Sequence, residues 1–105
     1  MLSERQKIVI DELTPMFVAM MEELSPLKRK VVATAAHLNQ MVSAKDIASY
    51  GRYSVNVIST TLGRLVKDGI MVDYSIHPRK KQYDFSYKYK WLAIWLRVRR
   101  TGDNK

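Results

Sequence analysis

The chain has no cysteine. Disulfides, thiolate metal sites and cysteine nucleophiles are therefore excluded, and the redox compartment stays unconstrained. Histidine is scarce too. His37 falls inside an apolar helical pattern and His77 in a polar loop, and neither belongs to a set with metal-ligand spacing. Carboxylates paired for acid–base work are missing, and so is a glycine-rich loop that could hold phosphates. These absences speak against an enzyme and against any metal or cofactor. No apolar run reaches the roughly 20 residues that cross a bilayer. The opening residues, MLSERQK, lack the apolar core of a secretion signal. A cytoplasmic protein is expected.

Acidic side chains are also few, 10 against 18 basic ones, for a net charge of +8. The imbalance is uneven. Residues 1–24 hold two cations and five anions, whereas residues 77–105 hold nine cations and two anions. A basic surplus gathered at one end makes an oriented field rather than a diffuse one. Polyanions fit it, nucleic acid first and an anionic membrane second. Charge kept for solubility accounts for the same total. The length, 105 residues, fits one domain with an appended helix. The expected organisation is a helical arm over residues 1–24, a main domain over 25–100 and a disordered tail over 101–105.

What is present centres on residues 54–69, SVNVISTTLGRLVKDG. Ser54 can cap a helix, because its hydroxyl accepts a hydrogen bond from an unpaired first-turn N–H. Ile58, Leu62 and Leu65 then recur at i, i+4 and i+7, which puts them on one stripe. Gly69 can take the left-handed conformation that ends a helix. Between the apolar positions lie Asn56, Ser59, Thr60, Gly63, Arg64 and Lys67, a face of short polar groups with two cations toward its end. Asn can pair with an adenine edge, and Ser and Thr reach bases or phosphates. An ordinary amphipathic helix with a wet outer side accounts for the same pattern, so the surroundings must decide.

Upstream, residues 3–13 read as a helix, followed by Thr14-Pro15. Either Thr14 caps a second helix over 16–24, or one long helix kinks at Pro15. Leu13, Phe17, Met20, Leu24 and Leu27 recur every three or four residues and make one face apolar. Ser25-Pro26 repeats the cap-then-proline signal and starts a helix over 27–38. Lys28, Arg29 and Lys30 in its first turn oppose the helix dipole, which fits either a phosphate contact or solvated cations. Ser43 with Asp46 resembles a capping box before a short helix that ends near Tyr50-Gly51. Two short helices joined by a tight turn describe a helix-turn-helix.

After Gly69 the period changes to two. Residues 70–76 and 83–87 read as strands, with HPRKKQ at 77–82 as the hairpin tip. Arg79, Lys80 and Lys81 repel one another unless an anion arrives. Residues 88–100 close the domain as a helix. Trp91 and Trp95 read as core or as a packing seam against the first helices, and Ile94 and Val98 leave apolar surface on another side.

The order of elements, with KDIA at 45–48, Ser54, Ile58, Ser59, Leu62, Leu65, Gly69, Ile70 and the tip HPRKK, resembles the winged-helix branch of the helix-turn-helix families. That resemblance covers roughly 25–100. It implies a mainly α fold with a small β-hairpin, an N-terminal helical extension and a C-terminal helix. It implies duplex DNA as partner and transcription regulation as role. Carried over by position, Ser54, Val55, Asn56, Ser59 and Thr60 face DNA at the start of the second helix, and Arg64, Lys67, Arg79, Lys80 and Lys81 meet its backbone. The first half of that helix has no Arg or Lys, which sets it apart from many groove readers.

A narrower resemblance joins residues 13–32, LTPMFVAMMEELSPLKRKVV, to residues 83–97, YDFSYKYKWLAIWLR. Together they are similar to the winged helix that follows the nucleotide-binding core of certain prokaryotic and archaeal signalling ATPases. On that reading the chain is a fragment or a stand-alone relative, and Phe17, Met20, Trp91 and Trp95 meet an ATPase core or another protein. A homodimer through the first and last helices is compatible with the DNA-binding reading, because groove readers often pair.

Overall fold

A computed structural model describes residues 2–103, with side chains described through residue 99. The elements run in the order α1 (Glu4–Glu23), α2 (Pro26–Leu38), α3 (Ala44–Ala48), α4 (Val55–Lys67), β1 (Met71–Asp73), β2 (Tyr83–Phe85), a 3-10 turn (Tyr87–Tyr89) and α5 (Lys90–Asp103). The expected tail begins within the last turn of α5, and positions 104 and 105 lie outside the described residues. The fold is mainly helical with one antiparallel hairpin, as the sequence implies.

Residues 4–23 form one helix and not two. Ser3 and Gln6 close a reciprocal capping box at its start. Pro15 sits inside it, and both Pro15 and Asp11 are exposed. The carbonyl left without an N–H partner therefore faces water, which limits the cost of an interior proline. Thr14 is not a cap. Its hydroxyl donates to the carbonyl of Ile10 at 2.8 Å and accepts from the indole N–H of Trp95 at 3.1 Å. That second bond fastens α1 to α5 beside Pro15.

Ser25 caps α2 through the N–H of Lys28, and Asn39 ends it at φ 54°. A short polar residue tolerates this left-handed conformation better than most. The three cations of the first turn are all engaged within the chain. The Arg29 guanidinium donates to the carbonyls of Met21, Glu22 and Leu24, where α1 ends. Lys28 pairs with Asp68 at 2.7 Å, and Lys30 lies 5.9 Å from the centre of the Tyr53 ring. Their placement against the α2 dipole is thus offset by tertiary partners, while Arg29 and Lys30 remain exposed to solvent.

One core joins all the elements. α2 gives Val31, Val32, Ala35 and Ala36, α4 gives Ile58, Leu62 and Leu65, and α5 gives Leu92, Ala93 and Trp95. Ile10, Phe17 and Met21 of α1 belong to the same cluster. In the hairpin, Met71 faces Phe85, Val72 faces Asp84 and Asp73 faces Tyr83. Met71, Tyr83 and Phe85 are buried, whereas Val72 is half-buried. Val42, between α2 and α3, bonds both ways with Tyr83 at 2.8 Å and adds a one-residue third strand to the far edge of β2. Both strands are shorter than the alternation implies. The carboxylate of Asp73 takes the N–H of Ser75 at 2.8 Å and turns the first strand early, and Tyr87 enters the 3-10 turn.

Candidate nucleic-acid interface

The pair α3 and α4 is built from local signals. Ser43 and Asp46 complete the capping box of α3, at 3.1 and 2.9 Å. Its last turn closes through Tyr50 N–H to Ile47 and Gly51 N–H to Ala48. Ser54 then accepts from the N–H of Val57 at 3.2 Å and starts α4. At the other end Gly69 adopts φ +80°. Gly69 donates to Val66 and Ile70 to Leu65, each at 3.0 Å, which is the paired bonding of a Schellman stop. Ser86 fixes the returning chain there, its hydroxyl donating to the Gly69 carbonyl at 2.8 Å. The helix and the hairpin are therefore joined rigidly.

With Ile58, Leu62 and Leu65 buried, the opposite side of α4 is free. Ser54, Val55, Asn56, Thr60, Gly63, Arg64 and Lys67 are exposed there, and Ser59 is half-buried. Their hydrogen-bonding states differ. The Asn56 and Ser59 side chains make no hydrogen bond among the described residues. Thr60 donates to the carbonyl of Asn56 at 3.0 Å, so toward an outside ligand it offers an acceptor and a methyl group. Ser54 uses a lone pair for its cap and keeps its hydroxyl proton to donate. Thr61, by contrast, is buried and bonds back to Val57.

The hairpin tip carries Arg79, Lys80 and Lys81, all exposed. Arg64, Lys67, Arg79 and Lys80 form no ion pair among the described residues. Lys81 acts on Asp73, whose carboxyl is held below the usual carboxylate range. Bonds from Ser75 are the main cause and the Lys81 charge a smaller one. Across the ladder the Tyr83 phenol is pushed up, by burial first and by the Asp73 charge second.

The side chains expected to meet a partner protein divide. Phe17 and Trp95 are 3% and 5% exposed and pack on each other, with ring centres 5.6 Å apart. They belong to the monomer's own core, as the packing-seam reading of Trp95 expects, and not to a surface where the narrower resemblance would have them meet a partner. Met20 and Trp91 are half-buried. Exposed apolar side chains on the first and last helices are instead Ile8, Met16 and Val98. Sequence reading did not single out Val57 or Ile76 as site residues, and both are exposed.

Three packed helices, a tight turn between the second and third of the domain, a basic hairpin and a closing helix define a winged helix-turn-helix. In overall structure the chain is similar to a MarR family protein from Bacillus stearothermophilus, with a TM-score of 0.54 over 99% of this chain and 80% of that one, at 11% identity. No family model and no curated protein matches the sequence. No described helix is long and apolar enough to cross a membrane.

Proposed function

We propose that this chain binds duplex DNA, as a transcription regulator or as the DNA-reading module of one. The observation that carries the reading is the pairing of an exposed, small-residue ridge on α4 with an exposed basic hairpin tip that follows it in the same fold. In this reading α4 enters the major groove. Asn56 offers a free amide to an adenine edge, Val55 and the Thr60 methyl suit a thymine methyl, and Ser59 supplies an adaptable hydroxyl. Ser54, Arg64, Lys67, Arg79, Lys80 and Lys81 meet phosphates, which position the protein without reading sequence. A fold shared with a MarR family protein is consistent with this role. Docking on an ATPase core draws less support, because Phe17 and Trp95 lie inside the monomer.

A gel-shift titration at several salt concentrations tests the proposal. Binding no stronger than that of an unrelated protein of equal charge rejects it. Replacing Asn56 by alanine is expected to leave the fold intact and to relax preference at one base pair by about 1–3 kcal/mol, read by competition between duplexes that differ there.

Gly63→Ala separates folding from binding. A Cβ at Gly63 meets no atom within 4 Å. Alanine there should stabilise the free protein by about 0.5–1 kcal/mol, through the backbone entropy removed from the unfolded chain. The same methyl stands on the ridge between Thr60 and Lys67 and holds α4 off the groove floor, so affinity should fall. Urea unfolding and gel shift on one sample read the two opposite signs.

A further inference from the structure

The hairpin tip holds an apolar group that phosphate binding does not use. Ile76 is 98% exposed, more than any other large apolar side chain of the described residues. It stands between Tyr74, which is half exposed, and Pro78, with Arg79, Lys80 and Lys81 immediately beyond. Single exposed apolar residues are common on protein surfaces. Here the surrounding chain is fastened in place. Tyr74 N–H donates to the Gln82 carbonyl at 2.8 Å, and Gln82 N–H donates to the Ser75 hydroxyl at 2.9 Å. At the tip, Lys80 N–H donates to the His77 carbonyl at 3.0 Å, and Arg79 N–H donates to His77 Nδ1 at 3.1 Å. The turn is thus held by side-chain and backbone bonds, with a stiff branched side chain on one flank and a proline at its bend.

The geometry points to a wedge: the tip enters the minor groove of duplex DNA, and Ile76, backed by Pro78, inserts at a base step and bends the helix axis. This rests on the DNA-binding reading. Isoleucine and proline are among the side chains that part base steps from the minor groove. The neighbouring cations supply what such a wedge needs, since they meet the phosphates that flank the opened step and hold the tip against the groove. Insertion removes Ile76 from water and offsets part of the unstacking cost. Pyrimidine–purine steps part most readily, so the wedge selects sites with a TA or CA step under the tip, without a hydrogen bond to any base.

The test uses the full chain and a duplex of about 30 base pairs recovered by selection from a randomised pool, labelled at both ends for energy transfer. Wild type is expected to shorten the end-to-end distance on binding. Ile76→Ala is expected to abolish the shortening and to weaken binding about tenfold, with an unchanged salt slope, because no charge is removed. Ile76→Met should restore the bend. Circular dichroism should show both variants folded, since the side chain touches no core. An equal bend for wild type and Ile76→Ala, or no bend for wild type, overturns the wedge while leaving DNA binding standing. Recovery of no duplex by wild type overturns both. Binding to phosphatidylserine–phosphatidylcholine vesicles that is lost in Ile76→Ala, with DNA affinity unaltered, also overturns it and assigns the tip to a lipid surface.

Discussion

Replacing Trp95 by alanine is expected to lower the unfolding free energy by about 3–5 kcal/mol, a large share of the roughly 5–15 kcal/mol that holds a domain folded. The indole is 5% exposed and rests on the Phe17 ring at 5.6 Å. The Arg99 guanidinium lies 5.2 Å from its centre, on the side where α5 nears solvent. Its removal leaves a cavity where α1 meets α5. The hydrogen-bond loss is smaller. Thr14 loses the indole N–H as a donor to its oxygen, yet its own proton remains bonded to Ile10. No buried donor is orphaned, so the cost comes from lost packing. Trp95→Phe isolates the difference. It keeps most of the ring contact, lacks the N–H and should cost about 1–2 kcal/mol. Urea unfolding followed by circular dichroism reads both. A Trp95 that served an outside partner would instead give a change within about 0.5 kcal/mol.

That expectation turns on a contact between residues 14, 17 and 95, and it shows where sequence reading reaches its limit. Local devices were legible. The Ser54 cap, the i, i+4, i+7 stripe and Gly69 all act within a few residues, and each is found as expected. The Ser43–Asp46 box is local too. Groups whose partner lies far along the chain were not legible. The Arg29 side chain finishes α1 from the next helix, and Lys28 finds Asp68 forty positions away. Pro15 left both a boundary and a single helix open, because nothing near it announces that α5 will hold the helix together. The alternation at residues 70–76 hid two facts. Met71 and not Val72 turns inward, since Ile70 is still closing α4 through Leu65. Ile76 belongs to the tip and not to a strand, because Asp73 has already bent the chain. The candidate site was readable as residue types, but not as hydrogen-bonding states. Only the structure distinguishes the free amide of Asn56 from the engaged hydroxyl of Thr60.

Removing the charges of the tip, Arg79→Ala, Lys80→Ala and Lys81→Ala together, should produce the largest change in binding. Five exposed cations are assigned to phosphates, Arg64 and Lys67 on α4 and three on the hairpin. Neutralising about five phosphates gives a slope of log affinity against log salt of roughly −4 to −5. With two contacts left the slope should be about −2. The magnitude follows from counterion release. Each lost contact removes about 0.9 of a log unit of affinity per decade of salt below about 1 M, so three cost about 10²- to 10³-fold near 0.1 M. The two affinity lines should therefore converge as salt approaches about 1 M, where counterion release no longer favours binding. Stability should hardly move, because Arg79 and Lys80 have no ion-pair partner among the described residues, Lys81 exerts only a minor charge effect on the exposed Asp73, and their crowding is unfavourable in the free protein. A general loss of basicity behaves differently. Replacing three cations elsewhere, such as Lys45, Lys88 and Arg52, should leave the slope near its wild-type value. Equal slopes for the two triple variants would mean that the tip holds no phosphates and acts only through net charge.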